Sequence, residues 1–364
     1  MRKQLLSYSM HIDFVIPVNG NLTAGLESYE HKAEKAAMDY GFHMAITKWN
    51  DEVSREMEVM VKEHGGCILS SAFLDYSVHD EHPRCQIFSS FLQLEGEATS
   101  REIRLAKFVN TTLYVVHVMS TDAMEEIAKA KREGQRVIGE PVVSGLVLDD
   151  SWLWDPDFAT ASKYVMSPPI REAGHNKALQ AALSSGILQL VGTDHCTFNS
   201  TQKAFGSDDF RKIPNGVNGI EERMHIIWDS MVETGKITVT DYVRVTSTEC
   251  AKIFNIYPRK GAILEGSDAD IIILNPKRSF AMGTRTHHSR SDTNVYEGRK
   301  GKGMVEVTIS RGRVVWEDGL NKGNCVLSLQ MEAGKGISPA NTTRGIVQQK
   351  LDSGRVQKRI ASRS

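Results

Sequence analysis

The stretch "TTLYVVHVMSTDAMEEIAKAKREGQRVIGEP", residues 111–141, decides the fold class of this chain. It predicts a strand, a helix and a second strand, at residues 113–118, 123–132 and 136–139. Ser120 or Thr121 can cap the helix at its start, and Gly134 is suited to end it. Because both strands are almost entirely apolar, we expect a parallel sheet that is buried on both faces.

The same alternation of strand and helix continues on both sides of this stretch. Further strand patterns occur at residues 11–18, 41–49 and 187–194. Further helical patterns occur at residues 28–40, 175–186, 219–236 and 247–258. Serial β-α units over about 250 residues favour an α/β fold of the (β/α)8 TIM-barrel type, with a doubly wound open sheet as the alternative.

The sequence divides into three parts that differ in their residue patterns. Residues 1–260 carry the β-α pattern and predict a partial barrel, with an atypical insert at about 66–93. Residues 261–325 contain short strand and turn patterns, so we expect a small β-sandwich portion there, with a return to the barrel. Residues 326–364 are polar and end in basic residues, which predicts a flexible tail.

Length, charge and cysteine usage narrow the class of function. The chain has 364 residues, 40% of them hydrophobic, which is enough for a sizeable core. A formal net charge of -1 at pH 7 favours a small-molecule partner over nucleic acid or a membrane surface. No segment approaches the roughly 20 apolar residues of a membrane helix. Five scattered cysteines without CxxC spacing suit a reducing compartment, so we expect a cytoplasmic protein.

Two polar residues end predicted strands at points where α/β enzymes place their reactive groups. His117 ends the strand in "LYVVHV", and Asp194 ends "LQLVGTD". The carboxyl ends of parallel strands meet at one edge of a sheet, so both side chains are candidates for one site. Imidazole nitrogen and carboxylate oxygen bind zinc, and a carboxylate also accepts a proton from a metal-bound water. A packed histidine and a helix-capping aspartate explain the same two positions.

Five motifs in a fixed order bear on these alternatives. They are "LYVVHVMS" (113–120), "VIGEP" (137–141), "VGTDHCTFN" (191–199), "KIPNGVNGIEER" (212–223) and "AKIFNIYPRKGAILEGSDADIIIL" (251–274). Together they closely resemble the dihydropyrimidinase and hydantoinase family of cyclic amidohydrolases, over residues 12–319 apart from part of the first hundred. The resemblance implies a metal-dependent TIM-type barrel with an attached β-sandwich. It also implies the hydrolytic opening of 5,6-dihydropyrimidines, such as dihydrouracil, by a metal-activated hydroxide in pyrimidine breakdown.

The resemblance further implies roles for individual residues. His117 corresponds to a ligand of one zinc ion, and Asp194 to a metal ligand that is also the general base and acid. Asn215, in the turn "PNG", matches a residue whose backbone holds the ring amide of the substrate. Ser144 lies one position before the place of a substrate-binding serine, and Gly145 stands at that place. Two zinc ions per subunit and a homotetramer are further expectations from the family.

Several metal ligands of the family have no counterpart in this sequence. The family has a His-x-His pair after its first barrel strand, a carboxylated lysine and a further histidine, and none of these motifs occurs here. The insert contains His79, Asp80 and His82, but no strand or helix pattern supports them as ligands. Because one zinc normally takes about three protein ligands, His117 and Asp194 alone do not complete the site.

Three functions fit these observations. The first is a dihydropyrimidinase-type hydrolase that acts on a small cyclic amide. The second is a non-catalytic scaffold similar to the collapsin response mediator proteins, which share the fold without the metal site. The third is a truncated partner subunit that assembles with complete chains. The retained His117 and Asp194 favour the enzyme, since the scaffold proteins typically replace the ligands in these two motifs.

Overall fold

Helices and strands alternate along the chain, as the sequence predicts. The computed structural model describes residues 8–70 except 35, 37, 65 and 66, together with residues 92–317, 320 and 321. The strands are β1 (Met10–Val15), β2 (Asp39–Ile46), β3 (Cys67–Ser70), β4 (Leu113–Val115), β5 (Val137–Gly139), β6 (Ile271–Ala281), β7 (Lys300–Ser310), β8 (Arg313–Glu317) and β9 (Leu320–Asn321). The α-helices are α1 (Leu22–Ala33), α2 (Asp51–Lys62), α3 (Leu92–Phe108), α4 (Thr121–Arg132), α5 (Val143–Val147), α6 (Phe158–Ser162), α7 (His175–Ser184), α8 (Ser200–Lys203), α9 (Arg223–Ile227), α10 (Val239–Val243) and α11 (Glu249–Ile253). None of the described helices combines the length and apolar character needed to cross a bilayer.

The chain forms two compact units, and each of them combines segments that are distant in the sequence. The first unit contains the described residues of Met1–Phe73, Cys250–Ile272 and Val307–Ser364. The second unit contains the described residues of Leu74–Glu249 and Ile273–Glu306. The domain boundaries that we predict near residues 260 and 325 stay a prediction.

A parallel sheet in the order β1-β2-β3 supports the core of the first unit. Parallel strands need crossover connections, and α1 joins β1 to β2 while α2 joins β2 to β3. Apolar residues from these strands and helices pack into one buried cluster: Val15, Leu22, Leu26, Met44, Ile46, Val53 and Met60. β3 lies at the start of the predicted insert, so this part of the insert joins the sheet.

Asparagine caps fix the start of both helices in this sheet. The side chain of Asn21 accepts the Ala24 N–H at 2.7 Å, and that of Asn50 accepts the Val53 N–H at 2.9 Å. The helix that we predict at 28–40 therefore begins earlier, at Leu22, and ends at Ala33. That prediction was wrong in its boundaries because it left the Asn21 cap out of account.

A buried group of charges, the Lys260 cluster, ties the first unit together. The Lys260 ammonium pairs with Asp39 at 2.8 Å, with Asp268 at 3.2 Å and with Asp270. Arg311 places a second cation 3.1 Å from Asp39, whose side chain is 0% exposed. Burial lowers the pKa of Lys260, but its hydrogen bonds to Asp270 and Asp39 outweigh that effect and raise the pKa above its ordinary value. The ammonium is therefore charged at neutral pH.

The strand-helix-strand arrangement predicted at 111–141 is present in the second unit. β4 and β5 pair in parallel, and α4 connects them. The Ser120 hydroxyl accepts the Ala123 N–H at 3.2 Å and so caps α4. Gly134 follows the helix with a φ of 79°, a conformation that favours glycine. β4 ends at Val115, before the predicted limit of this strand.

The segment predicted as a strand at 187–194 is extended but makes few ladder hydrogen bonds. The Gln189 N–H donates to the Gly139 carbonyl at 3.1 Å, and the Gly192 N–H donates to the Pro141 carbonyl at 3.0 Å. A single parallel bridge pairs Gly192 with Val142. The segment therefore runs beside β5 as a third parallel segment.

The described residues after 261 form strands and no α-helix, as the sequence predicts. Their sheet has the order β6-β7-β8-β9, and β8 is antiparallel to both of its neighbours. A short turn at Arg311 and Gly312 joins β7 to β8. The predicted β portion at the C-terminal side of the barrel is thus confirmed.

Candidate active site

Backbone hydrogen bonds bring three chain segments to one edge in the second unit. The Val118 N–H donates to the Glu140 carbonyl at 2.8 Å, and the Glu140 N–H donates to the Val115 carbonyl at 2.9 Å. The segment at 189–192 bonds to the other side of β5 and its extension. Three polar residues lie at the carboxyl ends of these segments: His117, Glu140 and Asp194.

His117 and Asp194 share a backbone conformation that few residues other than glycine adopt. Their φ angles are 40° and 43°. The left-handed region costs a residue with a Cβ atom roughly 1–2 kcal/mol. Among the described residues, the other non-glycine cases are three asparagines, which tolerate this region, and Arg311. Strain of this kind concentrates at functional sites, which supports a functional role for both residues.

The carboxyl group of Asp194 lies in an unusual electrostatic environment. The residue is exposed, yet the protein atoms around its carboxyl desolvate it enough to raise its pKa. The imidazole of His117 is close enough to lower the same pKa. A carboxylate whose pKa is raised accepts a proton more readily than an ordinary aspartate does.

Glu140 is a second acidic group at this edge, and our sequence reasoning missed it. It is partly buried, and the desolvation of its carboxyl raises its pKa, while the Tyr114 hydroxyl donates a hydrogen bond to it. A Cβ atom on Gly192 would lie 2.4 Å from the Glu140 carboxylate, so glycine leaves room for this side chain. The sequence did carry a signal, because Glu140 directly follows a predicted strand in "VIGEP".

The irregular segment at 214–216 presents Asn215 at the surface. The chain beside it is held by the Cys196 N–H, which donates to the Val217 carbonyl at 3.0 Å. Gly216 has a φ of 146°, and a Cβ there would lie 2.2 Å from the Cys196 carbonyl oxygen, so only glycine fits. Asn215 is exposed, as a substrate-binding backbone requires. Its role in binding stays a prediction.

Ser144 and Ser167 differ in the access that a ligand has to them. Ser144 is fully buried on α5, and its hydroxyl donates to the Met166 sulfur at 3.4 Å. Ser167 is exposed, two residues after Val165, whose carbonyl accepts the Gly216 N–H at 3.0 Å. The substrate contact predicted for Ser144 therefore lacks an accessible hydroxyl, whereas Ser167 offers one beside the segment at 214–216. No periodic pattern in the sequence points to Ser167.

The described residues supply part of a metal site at this edge and no more. His117 and Asp194 offer nitrogen and oxygen donors, but no third histidine, cysteine or carboxylate of the described residues forms a ligand group with them. One group of three carboxylates occurs elsewhere in the described chain: Asp39, Asp268 and Asp270. The Lys260 ammonium already pairs with all three, so this group is an ion-pair network. His79, Asp80 and His82 lie outside the described residues.

Comparison with other sequences shows to which family this chain belongs. The profile of the Amidohydrolase family matches residues 20–315. A dihydropyrimidinase from Arabidopsis thaliana is 63% identical over 355 residues, which are 85% of this chain and 66% of that protein. A dihydropyrimidinase from Dictyostelium discoideum is 42% identical over 362 residues, with 86% and 71% covered. The chain thus spans about two thirds of the length of these relatives.

Solved structures of the same kind of enzyme share the fold. A dihydropyrimidinase from Brevibacillus agri has a TM-score of 0.84 at 35% identity, with 92% of this chain and 80% of that chain covered. A D-hydantoinase from a Bacillus species has a TM-score of 0.85 at 34% identity, with 93% and 82% covered. This likeness confirms the predicted class, an incomplete TIM-type barrel with a C-terminal β portion. By sequence and by fold, the chain belongs to the metal-dependent amidohydrolase family, within its group of dihydropyrimidinases and hydantoinases.

Proposed function

We propose that this protein is a dihydropyrimidinase-type cyclic amidohydrolase that opens the ring amide of a 5,6-dihydropyrimidine such as dihydrouracil. Water adds to the amide carbonyl carbon, the ring C–N bond breaks, and dihydrouracil becomes N-carbamoyl-β-alanine. The observation that carries this proposal is the joint placement of His117 and Asp194. Both follow parallel segments that flank β5 on its two sides, both have left-handed backbone, and the two groups interact electrostatically.

The relatives support an enzyme over the scaffold and partner-subunit alternatives. The proteins compared above are named as dihydropyrimidinases or D-hydantoinases. This chain retains the motifs "VHVMS" and "GTDHC", in which the scaffold proteins typically replace the ligands. Hydrolysis of a cyclic amide is therefore the function that sequence and site support together.

Asp194 is the proton carrier of this proposal. It takes a proton from the attacking water as the new C–O bond forms, and it gives a proton to the ring nitrogen as the C–N bond breaks. The backbone at Asn215 and the hydroxyl of Ser167 hold the ring amide, since both are exposed on neighbouring segments.

Zinc suits the donor atoms of His117 and Asp194, but two ligands do not complete a site, so we assign no step to a metal ion. Two zinc ions per subunit and a homotetramer follow from the family and belong to the proposal. A cytoplasmic location is supported by the scattered cysteines, which suit a reducing compartment.

The purified protein is expected to form N-carbamoyl-β-alanine from dihydrouracil when zinc is added. Product formation is expected to stop when a chelator removes the zinc. The reason is that zinc binds the donor atoms that His117 and Asp194 offer, although these two ligands fill only part of a site. Product is measured by chromatography, and bound zinc by elemental analysis of the same sample. The Arabidopsis dihydropyrimidinase, assayed in parallel, is the positive control. No product at any zinc concentration, with an active control enzyme, would reject the hydrolase in favour of the scaffold.

The variant Ser167→Ala is expected to raise the KM for dihydrouracil about tenfold, because loss of one substrate hydrogen bond costs about 1–1.5 kcal/mol. Ser144→Ala makes the same chemical change at a buried site and is expected to leave the KM unchanged. Steady-state kinetics of both variants decide between the two serines. The opposite result, with the KM raised only by Ser144→Ala, would assign the substrate contact to Ser144 instead of Ser167.

A further inference from the structure

Lys203 is a buried cation that binds three backbone carbonyl groups. Its side chain is 1% exposed. The ammonium donates to the carbonyl of Val165 at 2.8 Å, of Pro214 at 2.7 Å and of Gly216 at 3.0 Å. An ammonium has three N–H donors, so each donor has one carbonyl acceptor. No carboxylate forms an ion pair with Lys203 among the described residues.

Such an arrangement favours the charged form of the lysine against the effect of its burial. Desolvation lowers the pKa of Lys203 to about 7, and the nearby Cys196 acts in the opposite direction. Three carbonyl dipoles that point at the nitrogen stabilise the ammonium, because a neutral amine would leave one carbonyl without a donor. The ammonium therefore holds these three carbonyl groups at a fixed distance from one another.

The three carbonyl groups belong to the two segments that carry the proposed substrate contacts. Pro214 and Gly216 flank Asn215, and Val165 lies two residues before Ser167. The Gly216 N–H also donates to the Val165 carbonyl, so Lys203 reinforces a direct link between the segments. One side chain thus joins the segment that carries Ser167 to the segment that carries Asn215.

Hydrogen bonds at the start of its helix hold Lys203 itself in place. It ends α8, whose first residue, Ser200, donates from its N–H and its hydroxyl to the carboxylate of Asp292, at 2.7 and 2.6 Å. Asn199 and Gln202 form a capping box at the start of the same helix. The ammonium is therefore presented from a capped and tethered helix.

We propose that Lys203 is a positioning residue for substrate recognition, which fixes the distance between the backbone at Asn215 and the hydroxyl of Ser167. This inference rests on the proposed function of the site. Lys203 does not touch the substrate; it acts through the carbonyl groups that it binds. A cyclic amide is rigid and planar at the amide, so its two hydrogen bonds need both partners at a set separation.

The first test measures, without any ligand, the clamp that Lys203 forms between the carbonyl groups of Val165, Pro214 and Gly216. Hydrogen exchange of the whole chain is followed by mass spectrometry in the wild type and in Lys203→Met, Lys203→Gln and Lys212→Met. Peptides that cover 213–217 are expected to exchange at least tenfold faster in Lys203→Met, and by a smaller factor in Lys203→Gln, which retains two N–H donors. Peptides from α7 serve as an internal reference for the fold.

Lys212→Met is the matched control, since Lys212 is exposed in the same stretch and pairs only at the surface with Asp208 at 2.8 Å. It is expected to leave the exchange of 213–217 unchanged. Equal exchange of 213–217 in the wild type and in both Lys203 variants would overturn the clamp. Should Lys203→Met fail to fold, Lys203→Gln carries the comparison.

The second test measures recognition of dihydrouracil. Lys203→Met is expected to raise the KM about tenfold and to change kcat less than twofold, whereas a general loss of structure would lower kcat and leave the KM little changed. A loss of kcat alone would reject the positioning role. A wild-type chain that neither binds nor opens dihydrouracil, while 213–217 still responds to Lys203→Met, would reject the proposed function and the substrate role of Lys203 but leave the clamp as a structural fact.

Discussion

Replacing Asp194 by asparagine is expected to lower kcat for dihydrouracil ring opening by about a thousandfold. Asparagine has nearly the same shape as aspartate, but it accepts no proton and is a poorer metal ligand. It also tolerates left-handed backbone, so the φ of 43° at this position can be kept without added strain. The loss would therefore report on proton transfer and metal binding rather than on folding.

The control for this variant is Asp208→Asn, which removes an exposed carboxylate that pairs with Lys212 in the same unit. It is expected to keep wild-type kcat. Circular dichroism of both variants checks that the fold is intact. A kcat of Asp194→Asn within tenfold of the wild type would assign the proton transfer to another group, and Glu140 is the next acidic residue at this edge.

Replacing Lys260 by methionine is expected to lower the free energy of unfolding by about 3–5 kcal/mol, because it removes one partner from a buried ion-pair network. Methionine keeps an unbranched apolar chain but leaves three carboxylates without their central cation: Asp39, Asp268 and Asp270. Asp39 has no exposed surface through which water could compensate. Urea unfolding at neutral pH, followed by circular dichroism, measures the change.

Lys62→Met is the matched control for Lys260→Met. Lys62 pairs with Glu58 on the exposed face of α2, where ion pairs contribute little, so no measurable change in stability is expected. The double variant Lys260→Met with Asp39→Asn is expected to recover part of the loss, because one buried charge is removed with its partner. An equal, negligible effect of Lys260→Met and Lys62→Met would show that the cluster does not stabilise the fold.

The elements that the sequence predicts well are those in which periodicity and end signals agree. α4 begins after Ser120 and ends before Gly134, as its cap and its glycine indicate. α7 likewise ends before Gly186, which has a φ of 79°. In both cases the information is local, because a side-chain cap and a left-handed glycine act within a few residues of the helix end.

The elements that differ from prediction depend on interactions between distant parts of the chain. The segment at 187–194 has the composition of a strand, yet its hydrogen bonds to β5 are too few to form a regular ladder. β3 could not be predicted from Cys67–Ser70 alone, since its partner β2 supplies the reason for its extended form. Apolar composition shows that a segment can be a strand but not which partner it finds.

The site was predictable to the extent that strand ends mark it. His117 and Asp194 follow apolar runs, so their position at the carboxyl edge could be inferred. Ser167 could not, because its importance depends on the hydrogen bond between the Gly216 N–H and the Val165 carbonyl. Whether a serine faces solvent or the interior, as at Ser144, depends on packing that a single sequence does not encode in any local pattern.

The Lys260 cluster also determines when the first unit can be completed during synthesis on the ribosome. Asp39 leaves the ribosome more than two hundred residues before Lys260, and Arg311 follows later still. At about 5–20 residues per second, the nascent chain waits roughly 10–40 s for the first of these cations. The β1-β2-β3 sheet therefore cannot mature in the usual N-terminal-first order. The burial of Asp39 is therefore completed only after all three strands and Lys260 have left the ribosome.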